Sequence, residues 1–308
     1  MKAARPLGLL AIWLAWTWPA LAGEGPPLEG RENLHAVLWM QTAHEYALAT
    51  AQVYAVATRA LAGARDLPSA LLDPDLPTPP PDAPPAIVLD LDETVLDTTR
   101  YGAALVATGQ AHDEGAWQAW VTAAPPLALA GARDFLEAAR KQGLRIYYVT
   151  NRACPDAGRP ALYPHPDCPQ RQATQAQAIR LGLPFADDPR AFLLRNDQAG
   201  WESGDKSPRR RFLASTQRIV MLFGDDLGDF LPRAALAELR AGTPTGHPVG
   251  AEPPPAWATR LGSQWFLLPN PTYGSWERAL ATCPAGQDDQ ACRETRRRGK
   301  YQRLIRDP

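Results

Sequence analysis

Residues 86–97, AIVLDLDETVLD, restrict the fold more than any other stretch: an apolar run from Ala86 to Leu89 ends in two aspartates separated by one residue. The run reads as a buried strand whose carboxyl end puts Asp90 and Asp92 on the same side of the chain. Two acids at a buried strand end are costly unless a cation or a reaction uses them. The competing reading is a strand that runs into an acidic turn with a helix cap, and the rest of the chain has to decide between them.

From Ala86 onward, short apolar runs alternate with helix-like segments. The predicted strands are 86–91, 145–150, 191–195, 218–223 and 264–268; the predicted helices are 131–142, 171–181, 207–215 and 229–240. This alternation predicts an α/β fold, a parallel sheet with helices on both faces. Ligands of such open sheets bind at the carboxyl ends of the strands, so the residues that follow the runs are the candidates. Thr150-Asn151-Arg152 follows the second run, offering a hydroxyl and an amide to a phosphate oxygen, or simply a turn or helix cap. Lys206, in Gly204-Asp205-Lys206-Ser207, is a candidate cation or an ordinary solvated lysine. Asp225, Asp226 and Asp229 follow the fourth run, and hard oxygen ligands at that density suit Mg²⁺, which takes one or two protein carboxylates and keeps several waters.

The first 22 residues have the pattern of an export signal. Lys2 and Arg5 precede an apolar stretch from Leu7 to Trp18, and Ala20-Leu21-Ala22 predicts cleavage after Ala22. A retained anchor is the alternative, though the apolar stretch is short for a spanning helix. Cys154 and Cys168 bracket one polar loop, and Cys283 and Cys292 another. Two local disulfides are the simplest pairing in an exported chain; a zinc site would need close cysteine pairs that are missing. Lys and Arg total 32 against 33 Asp and Glu, which gives no global basic charge for a nucleic-acid polymer.

Residues 34–62 lack Gly and Pro and predict one long packing helix. Residues 66–85 carry eight prolines and should run extended across the surface, separating that helix from the core. The expected organisation is therefore a signal at 1–22, an N-terminal helix and linker at 23–85, a catalytic domain at 86–282, and a basic tail at 283–308. Residues 293–306, with seven Lys or Arg, are expected to form a solvated terminal helix.

Together these residues resemble the haloacid dehalogenase superfamily, and within it the exported class C acid phosphatases and 5'-nucleotidase lipoproteins of subfamily IIIB. The likeness rests on IVLDLDETVLDTTRY (87–101) and IVMLFGDDLGDF (219–230), with TNR (150–152) and the Lys206 region between them. It extends to WMQTAHEYALA, Trp117-xx-Trp120-Val121 and PNPTYGSWE (269–277). It implies a Rossmann-like sheet with a small helical cap inserted at about 98–126. It also implies a Mg²⁺-dependent phosphomonoesterase with an acidic optimum. Asp90 would be the nucleophile and Asp92 the acid and base. Asp90, the Asp92 carbonyl and Asp225 would hold Mg²⁺, with Asp229 near its waters, and Thr150, Asn151 and Lys206 would hold the phosphate. Asp226 stands where the family often has Asn.

Tyr101, Trp117 and Trp120 of the cap region are candidates for stacking on a base, or for core packing; Tyr273 is the preferred stacking residue. The expected partners are small phosphate esters, nucleotides foremost, in the periplasm or outside the cell. A homodimer is admitted, and no stable membrane anchor is expected after cleavage. Two other readings stay open: a phosphotransferase, or a storage or phosphate-binding protein on the same fold.

Overall fold

The computed structural model describes residues 29–73, 75–155, 163–241, 252, 254–280 and 289–302. The predicted signal and Cys283 lie outside the described residues. The centre is a five-stranded, all-parallel sheet: β1 (Pro85–Leu89), β2 (Arg145–Ala153), β3 (Phe192–Arg195), β4 (Arg218–Gly224) and β5 (Trp265–Leu267), in the order β3-β2-β1-β4-β5. The chain builds outward from β1 to β3 on one side, then returns to lay β4 and β5 on the other. The crevice where that order reverses, between β1 and β4, is where such sheets place ligands.

Every residue of β1 is buried, which is why it reads as an unbroken apolar run instead of an alternating one. Its side chains still divide by the pleat. Ile87 and Leu89 join one core with Tyr54, Phe135, Tyr148 and Phe223, while Ala86 and Val88 join the other with Leu213, Leu222, Phe230 and Trp265.

The predicted helix at 34–62 is two helices, α1 (Leu34–Thr42) and α2 (His44–Ala60), separated by an extended Ala43. The Thr42 hydroxyl donates to the Leu38 carbonyl at 2.7 Å, a local bond that competes with helix continuation. The break turns α2 under the sheet, where Tyr54 stacks on Phe223 and its hydroxyl donates to the Thr94 carbonyl at 2.6 Å. The described residues between Leu67 and Pro84 form no helix, with turns at 75 and 81–82, and they are not a surface spacer between helix and core. Ala70, Leu71 and Asp73 are buried, and Ala70 exchanges bonds with the sheet, its N–H donating to the Ile219 carbonyl and its carbonyl accepting from the Trp265 indole, both at 2.8 Å.

The cap consists of α3 (Thr99–Thr108) and α4 (Glu114–Ala123), the second capped by Asp113, which accepts from the Ala116 N–H at 2.8 Å. The connecting helices α5 (Ala132–Lys141), α6 (Pro169–Arg180), α7 (Ser207–Ala214) and α8 (Arg233–Ala241) lie within two or three residues of the predicted ones except at the start of α8, where residues 227–229 form a separate 3₁₀ turn. Residues Asp289–Gln302 form a helix in the basic tail. Cys154 and Cys168 form a disulfide with Cα atoms 5.2 Å apart, joining the end of β2 to the start of α6.

Candidate active site

Three strand ends and one helix start meet at the crevice. The Asp90 N–H continues the sheet ladder to the Phe223 carbonyl at 3.0 Å, which fixes Asp90 beside the end of β4. The chain then folds into a tight turn in which the Val95 and Leu96 N–H groups both donate to the Leu91 carbonyl, and Glu93 adopts a left-handed backbone with φ of 56°. The turn gives Asp90 and Asp92 different partners. Asp90 lies 2.6 Å from the Lys206 ammonium. Asp92 is gripped by the buried Arg152 guanidinium, which donates from Nη2 at 2.7 Å and from Nε at 3.0 Å.

Asp90, Asp225 and Asp229 bring carboxylate oxygens within 4.8 Å of one another, whereas the Asp92 carboxylate stands outside this group. Asp225 accepts from the Thr94 hydroxyl at 3.0 Å and the Asn270 amide at 2.8 Å. Asp229 reaches the Lys206 ammonium at 2.6 Å. Gly224 makes this close packing feasible, since a Cβ there would collide with the Asp229 carboxyl. Burial, and then the neighbouring charge of Asp90, push Asp225 well above the usual carboxylate range. Asp229 is raised by burial despite Lys206. Burial works against the Lys206 charge, but Asp229 and Asp90 outweigh it and hold the ammonium above the ordinary lysine value.

The helix that carries Lys206 also sets the neighbouring loops. Arg209 donates to the Thr150 carbonyl and, at 2.6 Å, to the Asn151 side-chain oxygen. Asn151 in turn donates to the Gly204 carbonyl at 3.1 Å. Its amide therefore braces two loops against each other. The Thr150 hydroxyl accepts from the Arg152 N–H at 3.1 Å, so its proton is not used in that bond. Arg210 forms a fully buried ion pair with Asp73 at 2.7 Å and donates to the Gly228 and Asp229 carbonyls at 3.0 and 2.9 Å. Asp226 accepts from the Gly228 N–H at 2.7 Å and from both the N–H and the hydroxyl of Ser275. It works as a fastening point outside the acidic group.

The aromatic candidates occupy distinct places. Tyr101 is buried inside the cap, packed edge-on against Trp117 at 4.9 Å, with its hydroxyl on the Asp113 carbonyl. Trp117 stacks on Trp120 at 5.3 Å and lies 5.8 Å from the Arg152 guanidinium, which puts it at the boundary of cap and site. Tyr273 is 43% exposed while its hydroxyl points inward to Glu93.

Sequence reasoning passed over Arg152, Arg209, Arg210 and Glu93. Their signal was weak, because a charged residue that follows a recognised site residue looks the same in sequence whether it is solvated or buried.

The family model described as HAD superfamily, subfamily IIIB (acid phosphatase) matches residues 24–276. The chain is also similar to the class C acid phosphatase from Bacillus anthracis. One structure of that protein gives 27% identity and a TM-score of 0.66 over 91% of this chain and all of that one. A second, with tungstate bound, gives 28% identity and a TM-score of 0.67 over 91% and 99% of the two chains.

Proposed function

The chain belongs to the acid phosphatases of subfamily IIIB of the haloacid dehalogenase superfamily and is a phosphomonoesterase; from that premise we propose that it hydrolyses small phosphate esters, nucleoside 5'-monophosphates foremost, through a phosphoaspartate on Asp90 with Mg²⁺ as cofactor. The observation that carries this reading is the Asp90 carboxylate at the carboxyl end of the central strand, 2.6 Å from Lys206 and with an oxygen within 4.8 Å of those of Asp225 and Asp229.

In the first step an Asp90 oxygen attacks phosphorus while the ester P–O bond breaks and the leaving oxygen takes a proton from Asp92. In the second, water attacks the phosphoaspartate and gives its proton to Asp92. The acyl phosphate P–O bond breaks, and inorganic phosphate leaves. Arg152 donates to both oxygens of Asp92 and so fixes the orientation of the carboxyl that exchanges the proton. Lys206 and the Thr150 hydroxyl hold phosphoryl oxygens as charge redistributes. Asn151 acts on the phosphate through the loops it braces.

The residues fit a hard divalent cation. Three buried or half-buried carboxylates converge with Lys206 bonded to two of them, and burial, then the neighbouring Asp90 charge, hold Asp225 above the usual carboxylate range. Mg²⁺ would be held by Asp90, Asp225 and the Asp92 carbonyl, with Asp229 toward its waters. When bound it supplies the positive charge that lets an anionic nucleophile meet an anionic phosphate. The sequence pattern at 1–22 and the Cys154–Cys168 disulfide support export to an oxidising compartment. Among the described residues no helix is long and apolar enough to cross a membrane.

The test is phosphate release by the purified protein from nucleotides, sugar phosphates and an aryl phosphate, with Mg²⁺ and with EDTA. Turnover that needs the metal and is highest on nucleotides is expected. Inactivity on the whole panel with Mg²⁺ present would overturn the reading.

A further inference from the structure

The guanidinium of Arg152 is held at both ends. Its Nη2 and Nε grip Asp92, while Nη1 donates to the Gln177 side-chain oxygen at 2.9 Å and to the Thr174 hydroxyl at 3.1 Å. Thr174 and Gln177 stand three residues apart on α6 and so share a face. All three side chains are at most 2% exposed, which leaves no water to replace a lost partner.

Gln177 uses its amide twice. While its oxygen accepts from Arg152, its nitrogen donates to the Val121 carbonyl at 2.7 Å. Val121 lies in the last turn of α4, where helix carbonyls lack an intrahelical partner. A cap for that helix is the simplest role for Gln177, and it accounts for the nitrogen alone. The oxygen of the same buried amide is committed to the guanidinium that orients Asp92. One continuous buried path therefore runs from the cap to the site: Val121, Gln177, Arg152, Asp92. A guanidinium is planar, so fixing Nη1 fixes the plane in which Nε and Nη2 meet the carboxylate. That plane matters because a proton donor works only within hydrogen-bond reach of the atom it serves, and a misplacement on the order of 1 Å can cost about 100-fold in rate.

We propose that Gln177 is a positioning residue for proton transfer: through Arg152 it holds the Asp92 carboxyl in the orientation that reaches the leaving oxygen, and through Val121 it ties that orientation to the seated cap. The proposal rests on the phosphomonoesterase reading above, in which Asp92 gives its proton to the leaving oxygen. Gln177 acts through Arg152 and takes no part in holding the phosphoryl group.

The experiment measures kcat/KM at saturating Mg²⁺ on two esters. Glycerol phosphate has an alkoxide that must be protonated as it leaves, and 4-nitrophenyl phosphate has a phenolate that leaves without that help. Because kcat/KM reports the steps up to breakage of the ester bond, the ratio of the two values isolates leaving-group protonation from the later water step. Gln177→Met keeps the length of the side chain and removes both hydrogen bonds. It should lower the glycerol phosphate value about ten-fold, part of the roughly 100- to 10,000-fold that a positioned acid supplies, and change the nitrophenyl value by less than about two-fold. Gln177→Glu, whose carboxylate still accepts from Arg152, should restore most of the loss. Thr174→Val leaves Gln177 and the cap contact in place, and should shift the ratio the same way by about two- to three-fold; it decides the matter if Gln177→Met fails to fold. Equal losses on both esters, or no change on either, would overturn the proposal and leave Gln177 a cap for α4. Asp92→Asn is the reference and should show the same selective loss, only larger. Equal losses in Asp92→Asn would overturn the assignment of Asp92 as the acid and the proposal with it, whereas a selective loss there with none in the α6 variants would overturn the proposal alone.

Discussion

Two sets of buried charges lie within one domain and are balanced differently. Away from the crevice, acids and arginines are matched one for one: Asp73 with Arg210, and Asp197 with Arg171. At the end of β1 and β4, Asp90 and Asp229 share the ammonium of Lys206, and Asp225 beside them accepts from the neutral donors Thr94 and Asn270. Matched pairs fasten segments whose charges have no other outlet. An unmatched excess costs stability, and a fold retains it only where the charge is used. The contrast separates architecture from chemistry without reference to any motif. Asp92 falls between the two sets, since its carboxylate belongs to the turn after β1 yet is paired like a structural one.

The contrast can be broken from either side. Asp90→Asn should lower phosphate release by at least about a thousand-fold, because covalent catalysis loses its nucleophile, while circular dichroism stays that of the wild type. Substantial metal-dependent turnover in that variant would put the nucleophile elsewhere. Asp73→Ala lies on the matched side and should destabilise by about 3–5 kcal/mol, the cost of leaving a buried arginine unpaired. A denaturant midpoint close to wild type would show that the pair is not structural.

Asp225→Asn should have the opposite sign. A carboxyl whose folded value is raised loses stability as pH rises from its ordinary range, and an amide does not. The EDTA-treated variant should therefore melt above EDTA-treated wild type at neutral pH, and added Mg²⁺ should raise its melting temperature less than that of the wild type. Lower stability without metal would contradict the excess-charge reading. Glu93→Gln should have the smallest effect. Burial, and then Asp92, push Glu93 up to about 8. Its contribution to stability is thus fully present below the ordinary carboxylate range and lost as pH rises toward 8. Thermal melts of metal-free protein between pH 5 and pH 8 should fall less steeply in the variant than in wild type.

Much of the fold was readable because fully buried parallel strands are continuous apolar runs, and five such runs separated by helix-length segments leave few other arrangements. The meeting of Asp90, Asp225 and Asp229 followed from the same logic, since all three stand at or just beyond strand ends, whereas Lys206 stands at a helix start that the strand pattern does not place. What escaped depends on contacts distant in sequence. Nothing near Thr42 and Ala43 marks a break between α1 and α2 beyond one threonine, and prolines say that residues 66–85 are extended without saying that Ala70 and Asp73 are buried. The partners of Asp92, Asp226 and Glu93 lie 60, 49 and 180 residues away. For such pairs composition and spacing carry no signal. Tyr273 was the preferred stacking candidate and Tyr101 a lesser one, and only packing shows that Tyr101 is buried in the cap while Tyr273 is partly exposed.

The role given to Asp90 can be read directly from the protein itself. Wild-type protein and Asp92→Asn, turning over an aryl phosphate with Mg²⁺, are quenched in acid, digested and sequenced by mass spectrometry. A phosphoryl group on Asp90, accumulating in Asp92→Asn because the water step has lost its base, is the expected outcome. Steady phosphate release with no phosphoryl group on Asp90 in either protein, or with one on another residue, would show that the strand end does different chemistry.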